Sequence, residues 1–242
     1  MKKFVSHITS NAPKPLIPPV MALRKVTSRT GRGVYASTDT LFKGAVFGRD
    51  SVEVAEDIIN IKPRLVRRII LTLASLQGEI SSDITEEEPG KIIHEYRTTV
   101  VDGRHIKGMP LHIFDELSSR WGGDENTLAY YGSIDATPHF IRLVGEYISI
   151  HGNSILESNI RLKSGLEVTL DDVLIKAINW LESKLNSSKS GFLEYIRSNP
   201  HGIENQVWKD SSEFYIHENK KYANHRAPIA SIEVQGLVYD AL

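Results

Sequence analysis

From Gly44 onward, apolar residues recur mostly at helical spacing, and stretches rich in polar residues and glycine separate the runs. Ser51 stands where a cap is needed, ahead of a run in which Val54, Ala55, Ile58 and Ile59 share one helical face. Pro63 marks the first turn of a second helix, where the amide it lacks would be unbonded anyway. Leu65, Ile69, Leu73 and Leu76 give that helix its apolar stripe, and Gly78 closes it. A long polar connection follows, broken by Gly90, Gly103, Gly108 and Pro110, with its best strand signal over residues 93–101. Further helices are predicted over residues 111–120 and 136–150. The second carries Phe140, Leu143, Val144, Tyr147 and Ile148, with Gly152 as its terminator. Thr169 and Asp172 have the form of a capping box, and Leu174, Ile178, Leu181 and Leu185 line the helix behind them. Pro228 is read as opening a last helix in which Ala230, Val234, Leu237 and Ala241 share a face.

Residues 1–43 differ from this pattern. Pro13, Pro15, Pro18 and Pro19 oppose a regular helix and residues 24–32 are basic and polar, which predicts an extended lead-in, either a solvated arm or a binding arm. Residues 44–242 are predicted to form one all-α unit of paired helices. The pattern reaches Leu242 inside an apolar helical run, which fits either a chain that ends in a helix or an arc of helical hairpins with more belonging to it.

Composition narrows the function. With 29 Lys+Arg against 30 Asp+Glu the net charge is -1, so no bulk field favours nucleic acid or an anionic membrane, and a neutral substrate such as a sugar fits better. The absence of cysteine excludes disulfides, thiolate zinc and cysteine nucleophiles. The nine histidines show no metal-ligand pattern, so no metal is assigned and no cofactor is expected. The start lacks the apolar core of a secretory signal, and no apolar run approaches the roughly 18 residues of a membrane span. A soluble, cytoplasmic protein with no membrane partner is expected. The sequon at Asn186 and the short Thr30-Gly31-Arg32-Gly33 stretch carry no assignment.

Candidate chemistry gathers in five segments: Gly48-Arg49-Asp50-Ser51, residues 88–97, residues 130–138, Gln206-Val207-Trp208-Lys209-Asp210-Ser211, and residues 228–236. Arg49 and Asp50 make a donor–acceptor pair that suits vicinal hydroxyls, or a local salt bridge. Alternation along residues 94–97 points His94 to one face and Glu95 with Arg97 to the other. Trp208 offers an apolar wall that would raise the pKa of Asp210, and Lys209 would oppose this from the same side; Asp210 capping a turn is the alternative. Tyr130, Tyr131 and Trp208 can present ring faces to a sugar, and the tyrosines fit a core equally well. Asp135 is placed to bind a hydroxyl. Glu86 and Glu87 fit a solvated acidic run beside Glu88. Glu233 and Gln235 lie off the apolar stripe of the last helix.

In order, these five segments resemble the bacterial amylo-α-1,6-glucosidase and glycogen-debranching group, related in fold to glucoamylases and trehalases, from about Tyr35 to the C-terminus. The resemblance implies an all-α fold, an incomplete six-hairpin α/α toroid, whose loops at one end bind a terminal α-linked glucose of glycogen-like oligosaccharides. It implies hydrolysis with inversion, with Asp210 as the general acid and Arg49 and Asp50 holding the glucose. Glu88, His94, Glu95, Arg97, Tyr131, Asp135, Trp208, Lys209, Glu233 and Gln235 are the accompanying substrate-binding candidates. Inversion needs a second carboxylate roughly 6.5–9.5 Å from the acid. After Asp210 only Glu213, Glu218, Glu233 and Asp240 remain, and none matches the family's base motif. The chain is therefore expected to be an N-terminal portion of such a domain, partnered by a complementary C-terminal polypeptide or by itself. The alternative is a fragment that binds glucan without cleaving it, or an inactive one.

Overall fold

A computed structural model describes residues 17–27, 33–37, 40–42, 44–101, 103–209 and 215–242. Its first element is a helix, α1 (Ile17–Val26), where the sequence predicts an extended arm. Pro18 and Pro19 fall in the first turn, where a missing amide costs little, so the prolines start a helix instead of forbidding one. Pro13 and Pro15 lie outside the described residues.

Strand β1 (Ala45–Phe47) runs directly into α2 (Gly48–Ile58). Ser51 is not its cap: the helix starts earlier, Phe47 holds the N-cap position, and no side chain caps it. A short turn leads to α3 (Pro63–Ser75), which has Pro63 in its first turn and buries Leu65, Ile69 and Leu73 as its stripe predicts. Then come β2 (Glu95–Thr98), β3 (Val100–Val101), β4 (Arg104–His105), α4 (Leu111–Trp121), β5 (Thr127–Tyr130) and α5 (Ala136–His151). The hairpin of β6 (Asn159–Arg161) and β7 (Glu167–Thr169) precedes α6 (Leu170–Ser187), which opens with the predicted capping box of Thr169 and Asp172. The last helix, α7 (Ile232–Ala241), begins after Ser231 and not at Pro228, and it buries Val234 and Val238.

The fold is therefore mixed, not all-α. Among the described residues it is 45% helical and 14% strand with three small antiparallel sheets, which overturns the expected all-α toroid. The largest sheet has the order β1-β2-β5, pairing Ala45 with Arg97 and Glu95 with Tyr130. The other two are the pairs β3-β4 and β6-β7. Strands β2 and β3 fall inside the strand signal at residues 93–101; β3-β4 and β6-β7 are local hairpins, and long-range pairing makes only the three-stranded sheet.

Three helices run side by side in the same direction. Arg142, roughly two turns into α5, bonds Glu56 of α2 at 2.6 to 3.0 Å and reaches Asp240 of α7 at 3.7 Å, each roughly two turns into its own helix. At the far ends of α2 and α5, His151 Nε2 lies 3.1 Å from the carbonyl of Ile59, and at the near ends of α5 and α7 residues 206–209 join Ile134 to Glu233. The N-termini of α2, α5 and α7 therefore open on one side of the molecule. Beneath them, Phe140, Leu143 and Val144 of α5 join Val52, Ile69, Leu73, Val173 and Val234 in the main apolar core. A smaller cluster of Met109, Phe114, Trp121, Leu128 and Tyr130 packs α4 against β5. Among the described residues no helix is long and apolar enough to cross a membrane.

Candidate functional site

The site begins with a glycine. The amide of Gly48 donates to the carbonyl of His94 at 2.9 Å, and a Cβ at Gly48 would come within 2.1 Å of the Ile93 carbonyl oxygen. Only glycine lets α2 start this close to the segment that leads into β2. Arg49 follows in the first turn, and its Nη1 bonds Asp135 Oδ2 at 3.0 Å. Asp135 occupies the N-cap position of α5. The Asp50 carboxylate is farther, at 3.9 Å. Two separate motifs thus meet through a pair that neither shows alone. Asp135 is 1% exposed, and its second oxygen, Oδ1, has no hydrogen-bond partner. Burial opposes the charge on Arg49, but the charge of Asp135 and the hydrogen bond to it prevail and raise its pKa. Glu53, one turn later on α2, is raised by burial, with Arg49 opposing.

Strand β2 places Glu95 and Arg97 on one buried face, as alternation predicts, and they form an ion pair. Burial raises the pKa of Glu95, Arg97 opposes this, and the nearby charge of Asp50 adds to the rise. His94 points the other way, edge-on to the rings of Phe47 and Tyr130, each at 5.9 Å. Burial, helped by the charges of Arg49 and Lys91, pushes His94 down to about 3, so its ring is neutral at ordinary pH.

The third contribution comes from residues 206–209 and α7. The amide of Ile134 donates to the Gln206 carbonyl at 2.9 Å, which sets this segment beside the start of α5. Lys209 is buried and pairs with Glu233 in the first turn of α7, while Ser231 Oγ donates to the other Glu233 oxygen. The hydrogen bond from Lys209, then that from Ser231, lowers Glu233 to about 2. The Lys209 ammonium also lies 4.5 Å from the centre of the Trp208 ring and 5.4 Å from that of Tyr215. Trp208 is 49% exposed. Asp210 lies outside the described residues.

Several candidates serve other ends. Tyr131 is fully buried, donates to the Leu76 carbonyl at 2.8 Å and accepts from Lys163, so its ring is core and not a platform. Gln235 ties α7 to the backbone of Leu193, accepting from its amide and donating to its carbonyl, each at 2.9 Å. Glu88 holds Lys91, Lys184 and the Trp180 indole beside a separate pocket of about 300 Å³. Glu86 and Glu87 are not a solvated run; they are 5% and 7% exposed. Glu86 accepts from the Ser198 amide at 2.7 Å, from Gln206 Nε2 at 2.9 Å and from the Tyr130 hydroxyl. Glu87 pairs with Lys163 at 2.7 Å. Their partners are far away in sequence, so local composition held no sign of burial.

Two further residues near the start of α5 escaped the sequence reading. Ser133 and His139 are buried, with Ser133 Oγ and His139 Nδ1 unpartnered. Burial, then the charges of Arg142 and Arg49, lowers His139 to about 4. Among the described residues no cluster of three or more His, Asp or Glu is arranged to hold a metal ion.

The arrangement therefore offers a fixed guanidinium, carboxylates held in place by cations, a neutral imidazole and a half-exposed indole. Such a set suits a neutral polyhydroxyl ligand better than an ion. Compared with protein-family models and with curated proteins, the chain matches none.

Proposed function

We propose that the N-terminal ends of α2, α5 and α7 form the glucose-binding face of a glycoside hydrolase of the amylo-α-1,6-glucosidase kind. Its substrate is the terminal α-linked glucose of glycogen-like oligosaccharides. The observation that carries this reading is the Arg49–Asp135 pair, which joins two of the resembling motifs and leaves a buried carboxylate oxygen in want of a donor. A sugar hydroxyl is a donor of the right kind, and Trp208 supplies a ring face for the C–H side of the sugar.

In this reading Asp210 is the general acid that protonates the departing oxygen, and Arg49, Asp50 and Asp135 hold the glucose. Lys209, next to Asp210 in sequence, has its charge compensated by Glu233. The second carboxylate that inversion requires is assigned to a complementary polypeptide or a second copy of the chain. A glucan substrate and a cysteine-free sequence suit a reducing cytoplasm, which cell fractionation checks.

A second reading is binding without cleavage. It is favoured because Glu95 and Glu233 are each tied to a cation, and neither is free to activate water. Calorimetric titration with maltooligosaccharides, run beside an assay for released glucose, separates the two. Binding with glucose release that Asp210→Asn abolishes supports the enzyme, and binding without release supports the second reading. No binding at all refutes both.

A further inference from the structure

The Lys209–Glu233 pair has a neighbour that gives it a second consequence. The Lys209 ammonium sits over the Trp208 ring, and an ammonium so placed is attracted by the ring's electron-rich face. Lys209 itself is 9% exposed, so without a counter-charge it would be an uncompensated buried cation and would swing toward water. Glu233 supplies that counter-charge from the first turn of α7, and Ser231 holds the carboxylate from its other side. The chain of contacts thus runs from Ser231 through Glu233 and Lys209 to Trp208.

We infer that Glu233 is a positioning residue: by holding Lys209 against one face of Trp208, it fixes the indole as the aromatic wall of the sugar site. This rests on the glucan reading for its ligand, but the geometry of the wall can be measured without one. Glu233 acts through Lys209 and has no need to touch the sugar itself.

Acrylamide quenching tests the wall. Trp121 and Trp180 are 7% and 5% exposed, so quenching reports chiefly on Trp208. The Trp208 share is isolated by comparing each protein with its Trp208→Phe counterpart. Glu233→Gln should roughly double the Trp208 quenching constant, because Lys209 leaves one of the two ring faces. It should also weaken maltotriose binding by about threefold to tenfold, and Glu233→Asp should recover most of both effects. A general loss of packing would expose Trp121 and Trp180 too, which the Trp208→Phe background reveals. Quenching like wild type in Glu233→Gln, or no recovery in Glu233→Asp, overturns the inference. If the wild-type chain binds no maltotriose, the glucan reading fails; the doubled quenching and its recovery then decide the positioning role by themselves.

Discussion

Glu86→Ala removes the carboxylate on which three distant pieces of the chain converge. It accepts from the Ser198 amide at 2.7 Å, from Gln206 Nε2 at 2.9 Å and from the Tyr130 hydroxyl, and Glu86 is 5% exposed. Glu86 has a φ of 53°, and alanine in its place keeps that backbone strain, so the substitution reports on the side chain. Hydrogen bonds to a charged acceptor contribute about 1.5–3 kcal/mol each, and the cost of burying the carboxylate offsets part of their sum. Of the three donors left behind, those of Gln206 and Tyr130 are buried and that of Ser198 is on an exposed residue, so the net loss should be about 3–5 kcal/mol. That is a large share of the ~5–15 kcal/mol that stabilises a typical domain. Urea unfolding followed by far-ultraviolet circular dichroism should show a lower midpoint at an unchanged slope. Glu86→Gln, which keeps the volume and one acceptor, should lose less. A loss in Glu86→Ala below ~1 kcal/mol would refute the reasoning.

Gly48→Ala should lower the thermal midpoint by the equivalent of about 1–3 kcal/mol, because its Cβ meets the Ile93 carbonyl and not a movable side chain. Thr169→Ala should cost about 1 kcal/mol in urea unfolding by removing one arm of the capping box of α6. Acid should destabilise the chain through His94 and His139, whose folded values of about 3 and about 4 lie below the unfolded value near 6.5. The stability each confers is complete above about pH 6.5 and is lost as pH falls toward the folded value. The slope is up to ~1.4 kcal/mol per pH unit each, less for the half-buried His94. Urea midpoints between about pH 7 and pH 4.5 check this, and replacing both histidines by glutamine should flatten the slope.

What the sequence made legible depended on how local the cause was. The apolar stripe and Pro63 of α3, the capping box of α6 and the extents of α4 and α5 all follow from neighbours within a few residues. The start of α2 did not, because the approach of Gly48 to Ile93 is tertiary and Ser51 shows nothing of it. The buried face of α7 is likewise set by packing, which selects Val234 and Val238 in place of the full stripe through Ala230 and Leu237. The strands have two to four residues each, and those of the three-stranded sheet find their partners well beyond any local window. The candidate site shows the same division. Arg49, Asp135, Lys209 and Glu233 each stand out by residue type, but their pairing needed the fold. Arg49 bonds Asp135 more closely than its sequence neighbour Asp50, since adjacent helical residues point about 100° apart. Tyr131 was equally compatible with core and platform until its burial decided for core.

The central claim is that a terminal glucose binds where α2, α5 and α7 begin. Backbone amide chemical shifts during a maltotriose titration test it residue by residue. The account predicts changes centred on Arg49, Asp50, His94, Asp135, Trp208 and Glu233, which weaken together when Asp135 is replaced by asparagine. Changes confined to the separate pocket beside Trp180 and Lys184, or a spectrum that sugar leaves untouched, would contradict it.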